Sequence, residues 1–435
     1  MRKFIKTSFN YKWNIGEIYP YVIILIIFFL PIIPIISNLF IGLLIILWLF
    51  ENQWEWKIKQ ITNSFGFLLI TAFFCLFCLG LIETDNILPE LKQIEKRLGL
   101  VVIPLILLSS RHFNYSYRNS LSKYYIAFVM ATNVLSLYSF YQVINILIVN
   151  GEIPVVGREV SNLTLIHRPY VAYFCLISSV ICFYHIISLK GSLRKRLFYI
   201  LSYLLCIGVI IVLVARLAIA IFIIVHIYVL FKTLVKERKT FILFSIISIL
   251  ICIISVIGLL NYSRFTSRFE LLLQGKEEPR ILIWNCSYNI IASEEFQMLL
   301  GYKSVNVTQN QLDECYKNEF LNGSYWGWIY EHGYNFNTHN EFLNLFITFG
   351  LLGLIIYIFL LFFLFGKSWR IKNIIFQSFI IIFTLSCLTE NFLARQYGIV
   401  SFSIFAAFIL VEYNQHKRTL FDNPISHTIP SPNKS

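Results

Sequence analysis

The sequence predicts an all-α polytopic membrane protein of about twelve transmembrane helices, with one large, partly helical loop on the outer face before the last three. Three observations carry that expectation. Hydrophobic residues fill 57% of the 435 positions and charged residues only 14%, which is not the make-up of a soluble domain. Apolar runs of about 20 residues, the length that crosses a bilayer, recur along the chain. Short basic blocks fall between them on alternate connections, as cytoplasmic loops do.

The opening MRKFIKTSFNYKWN resembles a signal-peptide start, but the apolar run behind it is too long and lacks a small-residue cleavage site. It is expected to remain as the first membrane segment. Residues 18–50 suffice for two short helices, and Pro31 and Pro34 break the run into a hairpin. Spans follow at 62–82, 98–110, 124–149 and 169–189, two more within 197–231, and others at 240–260, 340–366, 373–389 and 399–413. This even count puts both termini on the cytoplasmic side. The organisation it implies is membrane helices over 1–260, a large outer loop over 261–338, membrane helices over 339–413 and a polar tail over 414–435.

A net charge of +13 would suit nucleic acid if it formed one surface, yet 23 of the 36 basic residues sit in blocks on one predicted face. The blocks lie at 2–12, 57–59, 111–123, 190–196, 232–239, 367–372 and 417–434. The charge therefore reports topology, and no nucleic-acid partner is expected. The opposite face carries an amphipathic piece at 84–97, a short loop at 150–168 and the long loop. Within the long loop, PRILIWNCSYNIIASEEF reads as a helix with Pro279 in its first turn. Its many aromatic residues, among them Trp284, Tyr302, Tyr316, Trp326 and Trp328, suit either an interfacial belt or a platform for a sugar or lipid headgroup. Seven of the nine cysteines lie in apolar runs and read as small buried hydrophobes. Cys286 and Cys315 share the long loop and can form a disulfide if it faces an oxidising compartment.

The residues able to do chemistry gather where the long loop ends. Asn335, Asn337, Thr338, His339, Asn340 and Glu341 run into an apolar helix, with Thr338 as the expected N-cap. A histidine there is either an interfacial residue or a proton acceptor, since the ordinary imidazole pKa of about 6.5 suits transfer at neutral pH. Arg216 stands in VIIVLVARLAIAIFII at the turn of a predicted hairpin, where a charge must find a partner or reach the interface. Arg280 and Arg168 each precede an apolar helix, and Arg264 and Arg268 follow a membrane exit. Guanidiniums gathered on one face with few carboxylates suit a phosphate-bearing ligand. Glu390 and Arg395, five apart, read as a local ion pair. His332 and His339 have no acidic companions at zinc-like spacing, and no Asp-x-Asp pair, Walker loop or nucleophile elbow occurs. No metal, cofactor, nucleotide sugar or ATP is expected.

His339-Asn340, nine residues, Gly350, two residues and Gly353 fit the pattern H-[NSQ]-x9-G-x-x-[GTY], and on it the chain resembles the bacterial O-antigen ligases, in order from about 15 to 410. The glycines equally suit close packing of membrane helices. The resemblance implies a glycosyltransferase of the bacterial inner membrane that moves a glycan from undecaprenyl diphosphate to a lipid A core hydroxyl on the periplasmic face. Its functional positions map by context onto Arg216, Arg280 and His339, although Ala215-Arg216-Leu217 departs from the family's usual Ser-Arg-Gly. His339 would take the acceptor's proton, Asn340 would orient it or the sugar, and Arg216 and Arg280 would hold the diphosphate, with Arg168 added from its own position. A polymerase joining two lipid-linked units, or an enzyme acting on a protein hydroxyl, would share this chemistry. A transporter of an anionic lipid or sugar would be expected to show internal repeats, and none is seen.

Overall fold

In the computed structural model, residues 15–82, 87–151, 162–188, 192–213, 216–234, 280–322 and 336–422 are described, and no strand occurs among them. The opening hairpin is present. Helix α1 (Ile15–Phe29) packs beside α2 (Pro34–Phe50), and Pro34 starts α2, where its missing N–H would have had no helical partner. After a 115° bend comes α3 (Trp54–Thr62), then α4 (Phe65–Leu76), which tightens into a 3-10 turn at Phe77–Leu81. The amphipathic piece is α5 (Ile87–Arg97), followed by α6 (Gly99–Ser109) and α7 (Arg111–Asn150). Helices α8 (Arg168–Ser188), α9 (Leu193–Val212) and α10 (Arg216–Leu234) continue the bundle. From the long loop come α11 (Arg280–Ile291) and α12 (Val305–Leu321), and α13 (Glu341–Arg370), α14 (Ile374–Ser386) and α15 (Gln396–Asp422) complete the described chain.

Six of these helices, α7 to α10, α13 and α15, are long and apolar enough to cross a membrane, and α2 with α3 makes a seventh if the bent pair is one span. The chain is thus a multi-pass helical membrane protein. Eleven of the twelve expected spans fall on described helices, but not all have spanning length. At 11 and 13 residues, α6 and α14 reach only about 16 and 20 Å, against a hydrocarbon core of about 30 Å. Conversely, α7 has 40 residues because Ser110 caps it well before the apolar run begins, its Oγ accepting from the Phe113 amide at 3.1 Å. The span expected at 240–260, Arg264, Arg268, His332, Trp326 and Trp328 lie outside the described residues. Of the cysteines in apolar runs, Cys175, Cys182, Cys206 and Cys387 are buried as expected, whereas Cys75 is exposed.

Contacts sort the connections into two ends. At one, Glu51 accepts from the amides of Arg111 and His112 at 2.7 and 3.0 Å, Arg418 donates to Gln60, Gln415 to Asn114, and Asn373 to Glu412. Basic blocks cluster here. At the other end, Gln396 donates to the Pro34 carbonyl, and the residues around 338 and 390 meet.

Helix α13 is two helices joined at a break. Gly350 has φ 62° and ψ −158°, which opens the i to i−4 ladder. Residues 298–303 fill the opening: Leu351 and Leu352 amides donate to the carbonyls of Met298 and Leu299 at 2.9 and 3.1 Å. In return, the Tyr302 and Lys303 amides donate to Ile347 and Thr348 at 3.1 and 2.6 Å. A Cβ on Gly350 would stand 2.4 Å from the Leu299 backbone. The two motif glycines therefore do not serve helix–helix approach. Gly350 makes the break and admits the loop backbone, while Gly353 leaves room for Phe349, whose Cβ would be 2.4 Å from an added methyl. Beneath the loop helices a small core of Leu282, Ile283, Ile290, Leu312, Tyr316 and Ile347 seats α11 and α12 on the first half of α13.

Gly350→Ala forces both a left-handed φ and a backbone clash, so a loss of about 1–3 kcal/mol or more is expected. Gly366, with nothing within 4 Å of its Cβ position, is the control. Thermal unfolding in detergent should show a clear drop for the first substitution and little or no loss for Gly366→Ala.

Candidate active site

His339 lies on the approach to α13, and local backbone sets its position. Its φ of 46° is left-handed, so the helix begins only after it. Asn340, extended at φ −154°, is the N-cap: its Oδ1 accepts from the Leu343 amide at 3.1 Å. This corrects the expectation for Thr338. That residue is buried instead, and its hydroxyl donates to the Asn340 carbonyl at 2.9 Å beside the Asn391 amide. The side-chain oxygen of Asn340 is thus committed to the cap.

Three elements hold this approach. Trp284 Nε1 of α11 donates to the Thr338 carbonyl at 3.1 Å, while Gln309 and Tyr316 of α12 donate to the Phe336 carbonyl at 3.1 and 3.2 Å. Cys286 and Cys315 are joined by a disulfide that ties α11 to α12. With a sequence separation of 29, the bond contributes about 3–4 kcal/mol by loop entropy alone. The connection between α14 and α15 supplies the third support: the Glu341 amide donates to the Cys387 carbonyl at 2.8 Å, and its carboxylate accepts from the Leu393 amide at 2.9 Å.

From that connection Glu390 reaches the histidine, with Oε2 3.4 Å from His339 Nδ1. The expected pairing of Glu390 with Arg395 is not what forms. Glu390 pairs with His339 instead, and Arg395 lines a different cavity. Burial pushes the Glu390 carboxyl up, but the His339 hydrogen bond and the charges of His339, His167 and Arg280 outweigh it, leaving it below the usual carboxylate value.

The three candidate arginines come together. Arg168, Arg216 and Arg280 are the first residues of α8, α10 and α11, and all line one cavity of about 120 Å³ with Glu390. Three helix N-termini, each partly positive, thus open where three guanidiniums stand. Such a place suits a polyanion. The His339 imidazole, only partly exposed, meets the cavity through Glu390.

Fold and site together define a multi-pass helical membrane protein with an electropositive, histidine-bearing site at one end of the bundle. Residues 201–358, a stretch running from α9 into α13, match the family model described as O-antigen ligase. No curated protein matches the chain. The matched stretch contains Arg216, Arg280, His339, Asn340, Gly350 and Gly353, whereas Arg168 and Glu390 join the site through the fold. Glu390 was the residue sequence reasoning misread, although a lone carboxylate in the stretch TENFLARQYG was a signal for it.

A carboxyl group held below its unfolded value of about 4.5 contributes stability that is present above that value and lost as the pH falls through the folded one. Wild type should therefore lose thermal stability on acidification below about pH 4.5 more steeply than Glu390→Gln. Parallel melting curves over that range check the sign.

Proposed function

We propose that the protein is an O-antigen ligase-type glycosyltransferase. It transfers a glycan from undecaprenyl diphosphate to a hydroxyl of an acceptor glycolipid, the lipid A core, on the periplasmic face of the bacterial inner membrane. The observation that carries this reading is the meeting of Arg168, Arg216 and Arg280 around one cavity whose carboxylate, Glu390, is bonded to His339.

The bond that breaks joins the anomeric carbon to the diphosphate oxygen, and the electron pair leaves with the diphosphate. Fixed guanidiniums aimed at that developing charge are commonly the largest catalytic contribution, and here three line the cavity. The bond that forms joins the acceptor oxygen to the same carbon, and the acceptor's proton goes to His339. With Nδ1–H donating to Glu390, the neutral imidazole keeps Nε2 as the base, and the carboxylate stabilises the imidazolium once the proton arrives. A single displacement of this kind inverts the anomeric centre. Asn340, whose side-chain oxygen caps α13, orients His339 through the backbone.

The sorting of basic blocks to the end opposite the site supports cytoplasmic termini and a periplasmic active site under the positive-inside rule. A twelve-span path is consistent with the described helices if 240–260 supplies one crossing and the short α6 and α14 are completed by their neighbours.

The test uses purified protein in detergent with a lipid diphosphate-linked glycan and two acceptors offered separately, lipid A core and a second lipid-linked glycan. Glycan on lipid A core is the expected product, whereas elongation on the carrier would make the protein a polymerase. His339→Ala should lose about 10²–10⁴-fold in transfer. Arg280→Ala should lose more than Arg280→Lys, which keeps the charge but not the fork. Retention of anomeric configuration, read by NMR, would overturn the single displacement.

A further inference from the structure

A pocket of about 240 Å³ lies at the end of the bundle away from the arginine cavity. Three helices far apart in sequence build it. Helix α3 gives Trp56, the first turns of α7 give Asn114, Tyr115 and Arg118, and the last turns of α15 give Gln415 and Arg418. Asn114 and Arg118 stand four apart and Gln415 and Arg418 three apart, so each pair shares one face of its helix. None of the lining residues is acidic.

Two guanidiniums stand over one indole. Arg418 lies 5.0 Å and Arg111 5.9 Å from the centre of the Trp56 ring, and Arg111 also lies 5.4 Å over Tyr115. Neutral partners steer both: Arg418 donates to Gln60 at 2.7 Å and Arg111 to Gln53 at 3.3 Å. Arg118, the third cation, is exposed. The carboxylates nearby are engaged elsewhere, Glu412 accepting from Tyr117 and Asn373 and Glu51 from the Arg111 and His112 amides. The buried Nε1–H of Trp56 has no acceptor among the described residues. Three positive charges around a pocket without an acidic wall, beside an indole donor left unpaired, suit an anion.

The height of the pocket on the bundle decides which kind. Helix α7 starts well before its apolar run opens at 124, and about 9 Å of helix separates Arg118 from that run, which puts the guanidinium at the level of lipid headgroups. Helix α3, bent by 115° from α2, exposes Trp54 and Ile58, as a helix lying in a membrane interface does. Trp48 and Trp54 close on Lys57, and Trp56 and Tyr115 on Arg111, an aromatic gathering of the sort found at a membrane–water boundary.

We infer that this pocket binds the headgroup of an anionic phospholipid from the leaflet at this end of the bundle. The phosphodiester lies between Arg118 and Arg418 with Arg111 and Trp56 beside it, and the acyl chains pass down the exposed apolar surface of α7, which includes Met130 and Leu137. The lipid thereby adds to the Arg418–Gln60 and Gln415–Asn114 hydrogen bonds that join α3 and α7 to α15.

Full-length protein, purified in detergent and delipidated, is titrated with phosphatidylglycerol, with phosphatidylcholine of the same acyl chains and with inorganic phosphate, and lipid retention is read by native mass spectrometry. The expected result is phosphatidylglycerol held about tenfold or more tighter than phosphatidylcholine, with that preference lost in Arg118→Gln combined with Arg418→Gln. Arg118→Lys with Arg418→Lys should keep part of it, since the charge stays and the planar fork goes. Lys195→Gln with Arg196→Gln removes the same charge from the exposed start of α9 at the same end and should leave the preference intact. An unchanged preference in the Arg→Gln pair, or an equal fall in both Gln pairs, which diffuse attraction would give, overturns the pocket. Equal retention of the two lipids by wild type does so as well, and needs no variant to fold. Displacement of phosphatidylglycerol by inorganic phosphate at matched concentration would assign the pocket to a free anion and overturn the lipid.

Discussion

The site depends on a helix that is broken where it enters the bundle. At Gly350 the backbone turns to a positive φ, and the carbonyls of Ile347 and Thr348 and the amides of Leu351 and Leu352 lose their places in the ladder. In a membrane each such group left unpaired would cost several kcal/mol. Residues 298–303 take all four, and the loop is thereby fastened to the membrane helix by backbone bonds rather than by side chains alone. Everything that the loop carries inherits that anchorage: α11 with Arg280 at its head, α12 with its grip on Phe336, and the disulfide between them. The nine residues between Asn340 and Gly350 are thus a helical segment of fixed length, set between the cap that positions His339 and the break that admits the loop.

Charge then decides what the anchored parts can hold. Three guanidiniums line one small cavity, and Glu390 is the carboxylate that shares it. Like charges gathered in this way are least unfavourable beside negative charge, and Glu390 supplies one such charge at the cavity wall. The same balance explains why Glu390 stays ionised despite its burial, with the histidines and Arg280 outweighing the loss of water. A neutral glutamine there would remove the negative charge that faces His339.

Much of this is legible in the sequence. The hairpin at Pro31 and Pro34, the helix headed by Arg280, the turn at Arg216 and the polar approach around His339 all follow from apolar periodicity and turn chemistry acting over a few residues. What failed was long-range or hinged on one dihedral. Thr338 and Asn340 are both good caps by composition, and only the left-handed φ of His339 assigns the cap to Asn340. Glycines three apart fit close helix packing equally well, and the break at Gly350 appears only once residues 298–303, some fifty positions earlier, are laid against it. Glu390 had a nearby arginine in sequence, and its true partner lies 51 residues away. Span counting failed for a different reason: hydropathy measures apolar length, whereas α6 and α14 are short helices buried by their neighbours.

The connection between α14 and α15 matters as much as the helix break, since a few of its residues divide the space around His339. Consecutive side chains on an extended or turning backbone point to different sides, so Glu390 and Asn391 face different cavities without any further device. Glu341, buried at the head of α13, accepts from the Leu393 amide and keeps that partition in register with the histidine. The adjacent residues Glu390 and Asn391 thus lie between a cavity lined by three arginines and one lined by α2 and α5, and His339 is held to the connection between them through Glu390.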